Sequence, residues 1–433
     1  MYDSLRRRSI DGRSAGHEHW PVEFHEGTPG DFLARHEDEA RTVALGDRRG
    51  RAEFANRLLP RISDERNLKL ALDHLAAEGG DAPGPDGMRP RDLGPAERWS
   101  MARALRGAFR AGTYRPGRHR VARIPKIGGQ GCRIIKIQDI QDRAVQRAIL
   151  QVLQPFLDPR LADRSLGSRP GKGREQALAL AEGLATRSKL WSWTVADVAD
   201  AFDRVPLGRL MEVLRKSIPA DDVLGLIEVV IADRTGKGLR QGGALSPLLL
   251  NVYLDHFLDR PWRKAHPEMP LIRVVDDMLL LASDLDRSGT ARADLAARLK
   301  AAGMPLNPNK GATRDLADGQ AIEWLGFDLR AGGSGLELRL AERCWAQLEA
   351  HLAGVHDRPH SPIRAIEVIE GWITQAGPCY AHQDTRAACR RVARIARSFA
   401  LEEIPDEEEL KTLWAAGRQS WLRVRDEVGG PSS

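Results

Sequence analysis

The stretch LIRVVDDMLLLAS, residues 271–283, decides the fold. Apolar residues lead into Asp276 and Asp277 and lead out again, so the pair falls where two strands turn back on each other. Ionised carboxylates at the tip of an apolar hairpin repel each other and add nothing to a core. A divalent cation is the simplest thing that holds them together. A third carboxylate, Asp197, lies upstream at the end of the apolar run LWSWTVADV. Three carboxylates on strand ends are the donor set that two-metal phosphoryl transfer requires.

Outward from the hairpin, the chain alternates strand and helix signals without a regular βαβ beat. This predicts an α+β fold rather than a doubly wound sheet. Residues 1 to about 60 are polar, charged and rich in Gly and Arg, and read as an extension with little core of its own. NLKLALDHLAAEGG reads as a helix ending in a Gly pair, and residues 98–112 as another. HRVARIPK and CRIIKI read as strands joined by the loop IGGQG, before the long amphipathic helix DRAVQRAILQVLQPFL. LGRLMEVLRKSI has helical apolar spacing. Ser246 and Pro247 read as N-cap and first-turn residue of the helix carrying LLLNVYLDHFL. A helix over 291–302 ends at Gly303, AIEWLGFDLR reads as a strand, and everything from about 340 onward as helical.

The chain has 433 residues, enough for more than one lobe, and an apolar fraction of 42% to build cores. Its formal charge is +6, yet EEIPDEEEL (402–410) alone holds six acids and no base. Between Arg103 and Arg147 twelve Lys and Arg face only Asp139 and Asp142. A basic face of that density points to a polyanion, although a solvated surface in an Arg-rich protein has the same composition. Cys132, Cys344, Cys379 and Cys389 form no CxxC or His-paired zinc pattern. A reducing compartment fits, no apolar run is long enough to span a bilayer, and a cytoplasmic protein is expected.

The order of the remaining motifs is specific. YRPGRHRVARIPKIGGQGCRIIKIQDIQDRAVQ (114–146) places Lys126 and Arg133 on either side of a Gly hairpin. LGSRPGKGREQAL (166–178) is a basic Gly loop opening a helix, and DVADAFDRV (197–205) carries Asp197, Asp200, Ala201 and Phe202. QGGALSP (241–247) combines Gln241, Gly242, Gly243 and a Ser-Pro helix start. The VVDD hairpin, then MPLNPNK (304–310) and WLGF (324–327), follow in turn.

In that order, from about Asp81 to Phe327, the chain resembles a reverse transcriptase of the bacterial group II-intron-like kind. The resemblance implies a right-hand polymerase: fingers over 61–190, palm over 191–335, and a helical thumb and C-terminal extension over 336–433. It implies that Asp197, Asp276 and Asp277 hold two Mg2+ ions, with Mn2+ as a substitute, and that the backbone of Val198 joins them. Lys126, Arg133 and Lys310 would hold the phosphates of an incoming dNTP. Asp200 and Ala201 would flank it through backbone N–H groups, Phe202 would exclude a 2′-hydroxyl, and Gln241 would reach the sugar. Gly242 and Gly243 would approach the template base. Arg169 and Lys172 would follow the template backbone. Leu325 and Gly326 would press on the primer terminus. Arg386, Arg390, Arg394 and Arg397, one helical stripe in TRAACRRVARIARSF, would track the duplex.

The chain departs from the family in places. Position 274 is Val where the family usually has an aromatic touching the primer terminus, so primer handling differs. The His and Cys pairs of a C-terminal endonuclease are absent. Free-standing relatives of this kind point to antiphage defence, with a structured noncoding RNA copied into DNA and Tyr2 as a speculative protein primer. An RNA-binding maturase and a CRISPR-linked enzyme that acquires spacers from RNA are the alternatives.

Overall fold

A computed structural model describes residues 28–125, 132–232, 236–333, 335–356, 361–380 and 385–429. Lys126 and Tyr2 lie outside the described residues. Three helices come first, α1 (Pro29–Ala44), α2 (Arg48–Ala55) and α3 (Leu58–Ile62), then α4 (Glu65–Glu78) and α5 (Pro95–Arg110). The hairpin strands β1 (His119–Pro125) and β2 (Cys132–Gln138) lead into α6 (Ile140–Leu157). β3 (Ser165–Leu166), α7 (Arg174–Ser188) and β4 (Ser192–Asp197) follow. Next come α8 (Ala201–Arg204), α9 (Leu207–Ser217), α10 (Asp221–Ile231), α11 (Ser246–Leu254) and α12 (Arg260–Ala265). β5 (Leu271–Val274), β6 (Asp277–Ala282), α13 (Leu285–Ala301) and β7 (Ala312–Asp315) complete the palm. β8 (Ile322–Trp324), β9 (Phe327–Gly332) and β10 (Gly335–Leu340) precede α14 (Glu342–Ala353), α15 (Ser361–Gln375), α16 (Thr385–Ser398) and α17 (Glu407–Gly429).

The central sheet has the order β3-β5-β6-β4-β7, antiparallel except for the parallel β3–β5 pair. Successive strand side chains point to opposite faces. Met278, Leu280 and Ala282 enter one core with α6 and α11, while Leu279 and Leu281 enter a second with α7 and the C-terminal helices. Burial on both faces explains why MLLLA reads as an unbroken apolar run instead of an alternating one. The sheet is the wall between two cores, and the carboxylates stand at its end.

Residues 29–62 do not form an extension with little core of its own. Ala40, Ala44, Phe54, Leu58 and Ile62 are buried in the same cluster as α6. Charged residues between them dilute the composition, but helical geometry gathers the apolar ones onto one face. Thr28 opens α1 with a capping box to Asp31. A boundary at 60/61 cuts α3, and one at 335/336 cuts β10 after its first residue and parts it from β9, with which it pairs.

Three local expectations also change. Ser246 is the first residue of α11, not its cap; its hydroxyl donates to the Arg240 carbonyl (2.8 Å). AIEWLGFDLR is a hairpin, not one strand, because Leu325 and Gly326 both have positive φ (+52° and +88°) and reverse the chain. The helix expected over 291–302 starts earlier, at Leu285, where the Asp284 side chain accepts from the Arg287 N–H.

Candidate active site

The VVDD segment is a two-residue hairpin: Val274 pairs with Asp277, and Val275 and Asp276 make the turn. On the other side of β6, Asp277 pairs with Asp197 at the end of β4. Antiparallel partners stand about 4.5–5.5 Å apart at Cα. Register alone therefore brings together acids that are 80 positions apart in the chain. Burial, reinforced by the charge of Asp197, raises the Asp276 pKa above its ordinary value. Burial, then Asp276 and Asp197, pushes Asp277 up to about 7. Both carboxyls of the turn thus hold their protons more firmly than an ordinary aspartate.

The loop carrying MPLNPNK is stitched to the end of β4. The Asn307 N–H donates to the Asp197 carbonyl (2.8 Å), and the Ala199 N–H to Pro305 (3.0 Å). These bonds bracket the Val198–Leu306 bridge, a pairing that leaves the carbonyl of Val198 itself out of the exchange. Lys310 Nζ lies 3.0 Å from Asp197 Oδ2, and Asn307 Nδ2 is 3.4 Å from the same oxygen. Lys310 thus sits on a carboxylate rather than standing free for a nucleotide phosphate. Asn307 escaped the sequence reading because nothing in a Pro-Asn loop marks which side chain turns inward.

Val275 has φ +62°, a region that β-branched residues avoid. Such strain costs on the order of 1–3 kcal/mol and persists only where neighbours enforce it.

The DVADAFDRV segment and the QGG loop are tied together. Leu239 N–H donates to the Phe202 carbonyl (2.7 Å) and Gly238 N–H to Val205 (2.9 Å). Phe202 is half-buried, and Ala201 is buried at the start of α8. Asp200 precedes them with φ +48°. Gln241 Nε2 donates to Asp203 Oδ2 (3.1 Å), so Asp203 holds it in this state. A Cβ on Gly243 would come 2.6 Å from Gln146 Oε1. Gly242, at φ +90°, would place one 3.2 Å from Ile135 of β2. The fingers hairpin therefore closes on this loop, with Arg133 exposed near its tip.

Arg169 is not an exposed loop base. Its guanidinium is buried, held by Asp158 Oδ1 (2.7 Å) and the carbonyls of Ala162 (2.8 Å), Asp158 (2.8 Å) and Ser165. It staples the loop from inside, because a planar five-donor group satisfies several carbonyls at once. The Lys172 N–H closes the same turn onto the Arg169 carbonyl (3.2 Å), and burial lowers its ammonium pKa.

The Leu325–Gly326 turn is buttressed by α14, where Cys344 Sγ donates to the Gly326 carbonyl (3.2 Å). Arg343, paired with Glu323 of β8, is near enough to Asp277 to favour its charged form. The turn thus borders the carboxylate cleft. Arg386, Arg390, Arg394 and Arg397 are exposed along one side of α16. Arg386 pairs with Glu407 of the acidic run (3.2 Å).

The donor set is all oxygen, which suits a hard divalent cation. Burial first, and the neighbouring acids second, raise the pKa values of Asp276 and Asp277 and make their charged forms costly. Among the described residues no three His, Cys, Asp or Glu side chains close on one point. Asp197 Oδ2 is already engaged by Lys310 and Asn307. No helix among the described residues is long and apolar enough to cross a membrane.

Fold and site together define a polymerase-type palm. Residues 124–329 match the family model described as reverse transcriptase (RNA-dependent DNA polymerase). The chain is 30% identical over 198 residues to protein YkfC of Escherichia coli (strain K12), covering 42% of this chain and 51% of that protein. It is 29% identical over 163 residues to the group II intron-encoded protein LtrA of Lactococcus lactis subsp. cremoris, covering 35% of this chain and 26% of that protein. The match thus spans about half of the first relative and about a quarter of the second. Among solved structures, apo telomerase from Candida tropicalis aligns with a TM-score of 0.42 at 11% identity, covering 73% of this chain and 64% of that one. Residues 124–329 are thus similar to a reverse transcriptase domain, and parts of the chain are similar to group II intron-encoded proteins and maturases.

Proposed function

We propose that the chain is an RNA-directed DNA polymerase that extends a primer along an RNA template. The observation that carries the reading is the register of β4 on β6, which sets Asp197 opposite Asp277 beside the Asp276 turn. Asp197, Asp276, Asp277 and the Val198 carbonyl would hold two divalent cations, Mg2+ by preference. Such ions would lower the pKa of a primer 3′-hydroxyl and offset charge on departing pyrophosphate.

The chain's own groups supply the rest. Lys310 exchanges its Asp197 contact for a phosphate when a cation takes that oxygen. Lys126 and Arg133 meet the triphosphate from the fingers. Phe202 packs under the sugar and excludes a 2′-hydroxyl, while Gln241 leaves Asp203 to meet the same sugar. Gly242 and Gly243 admit the template base, Leu325 and Gly326 press on the primer, and the α16 stripe follows the duplex backbone. The biological setting we favour is antiphage defence with a dedicated noncoding RNA as template. It rests on family resemblance and not on a residue of the site.

The test is primer extension with purified full-length protein on an RNA template, dNTPs and Mg2+. Wild type should extend the primer, Asp197→Ala and Asp276→Ala should not, and Phe202→Ala should incorporate ribonucleotides more readily. Absence of extension by wild type would reject the reading. A second reading, an RNA-binding maturase, is favoured by the maturase relatives and by Val274. Splicing assistance that survives loss of both metal ligands would establish it. Sequencing nucleic acid that copurifies from the native locus tests the setting.

A further inference from the structure

Directly behind the carboxylate turn lies a fully buried arginine whose donors are all engaged. Arg273 has no solvent exposure. Its Nε and Nη2 form a fork on Asp259, with Nη2 2.6 Å from Oδ2. Nη2 also donates to Ser165 Oγ (2.6 Å), and Nη1 donates to Asn251 Oδ1 (2.8 Å) and to the Val275 carbonyl (2.7 Å). Five N–H donors are thus used, the whole capacity of a guanidinium.

The partners converge from separate elements. Ser165 is on β3, Asn251 on α11, and Asp259 in a widened π-type turn, Asp255–Asp259, that joins α11 to α12. Turns of this kind inside helices often mark functional sites. This one follows the QGGALSP helix start, so the helix under the QGG loop also supplies the counter-charge for the VVDD strand.

The bond to Val275 singles this network out from an ordinary buried ion pair. Val275 is the residue with φ +62°, and Asp276 follows it directly. Its N–H donates to the Leu166 carbonyl (3.2 Å) while its C=O accepts from Arg273, so both ends of the strained residue are pinned. Gly167 makes room: a Cβ there would lie 2.9 Å from Val274 Cγ1 and 3.0 Å from the Val275 nitrogen. Asn251 Nδ2 donates to the Gly167 carbonyl (3.1 Å) and closes the loop.

We infer that Arg273, fixed by Asp259 and Asn251, is a positioning residue that holds Val275 left-handed and thereby presents Asp276 to divalent cations beside Asp197 and Asp277. The inference rests on the polymerase reading for its catalytic consequence, but metal binding tests it independently. A packed apolar substitute would fill the space yet leave the Val275 carbonyl unheld, so a role in filling the core and a role in positioning give different outcomes.

The experiment measures Mn2+ binding to full-length protein by electron paramagnetic resonance, and kcat, KM for dTTP and half-saturating Mg2+ on poly(rA)/oligo(dT). Arg273→Lys keeps a charge for Asp259 but lacks the planar fork that reaches Asn251, Ser165 and Val275 together. It should weaken Mn2+ binding at least fivefold, raise half-saturating Mg2+ similarly, and lower kcat at least tenfold with KM for dTTP within threefold. Val275→Gly in that background removes the steric cost of the turn and should restore Mn2+ binding to within about threefold of wild type, a rescue no lost core contact would give. If Arg273→Lys does not fold, Asn251→Ala, which leaves the Arg273–Asp259 pair whole, should weaken Mn2+ binding at least twofold. Folded Arg273→Lys or Asn251→Ala with wild-type Mn2+ affinity overturns the inference and leaves the polymerase reading standing. Wild-type protein that neither binds Mn2+ nor extends primer overturns the polymerase reading itself.

Discussion

Asp197 and Asp277 face each other as paired residues of neighbouring antiparallel strands, the last pair of the β4–β6 ladder. With Asp276 in the adjoining turn, three acids share one end of the sheet, and burial together with their repulsion is a cost the fold carries. The expected behaviours below follow from that relationship and from what surrounds it.

Replacing Asp277 by Asn removes one of the repelling charges and keeps the shape. In EDTA, Asp277→Asn should melt higher than wild type by roughly 2 °C or more, the shift that about 1 kcal/mol makes in a domain of moderate size. In Mg2+ it should lose primer extension by a factor on the order of 10³. Differential scanning calorimetry and extension assays on one preparation check both, and an unchanged melting point would show that the repulsion is relieved some other way.

The pH dependence has a definite sign. The carboxyl of Asp277 titrates at about 7 in the folded chain, above the ordinary value of 3.8. The native state therefore keeps a proton that the unfolded chain has released. This contribution is fully present below pH 4 and is lost as pH rises to about 7. Urea denaturation in EDTA should show wild type losing stability relative to Asp277→Asn across that window, with saturating Mg2+ abolishing the difference.

Lys310 and a cation compete for Asp197 Oδ2. Lys310→Met should lower the Mg2+ concentration that half-protects against thermal unfolding, by roughly two- to fivefold, a change of about 0.4–1 kcal/mol. It should also raise KM for dNTP. Thermal shift titrations and steady-state kinetics separate the two effects, and a weaker Mg2+ response would mean that Lys310 supports the carboxylates without opposing the ion.

Gly326 sits at φ +88° with Cys344 Sγ 2.8 Å from where a Cβ would stand. Gly326→Ala should cost about 1–3 kcal/mol of stability and displace the turn at the edge of the cleft. Cys344→Ala in the same chain removes the steric conflict but not the backbone strain, so recovery should be partial. Chemical denaturation of the single and double variants measures it.

On α16, Arg390, Arg394 and Arg397 should each contribute to the salt dependence of binding to an RNA–DNA duplex. Removing one by substitution with Gln should reduce the slope of log K against log salt by somewhat less than one. Arg386 is already paired with Glu407, so Arg386→Gln should change the slope less than the others, and Glu407→Gln should increase it. Fluorescence anisotropy over a salt series gives all five values.

Much of this architecture was legible in one dimension because period and punctuation are local. Apolar runs leading into acids mark β4 and β5, and a Gly-Gly-Ala-Leu-Ser-Pro start marks α11. Errors arose where partners are distant. Arg169 in a basic Gly loop looks like an anion binder until Asp158 and three carbonyls surround it. The N-terminal helices look like a solvated tail until α6 buries one side of them. Arg273 was in plain view inside LIRVV, but a charge in an apolar strand does not announce its counter-ion fourteen positions earlier, in a widened helical turn.

The amino-acid order by itself determined the kind of chemistry: which acids, which glycines and which helix starts occur, and in what succession, since these depend on near-neighbour physics. Only the tertiary structure decided which acids meet, which bases remain available and which residue is strained, because strand register and burial are properties of pairings between segments far apart in the chain.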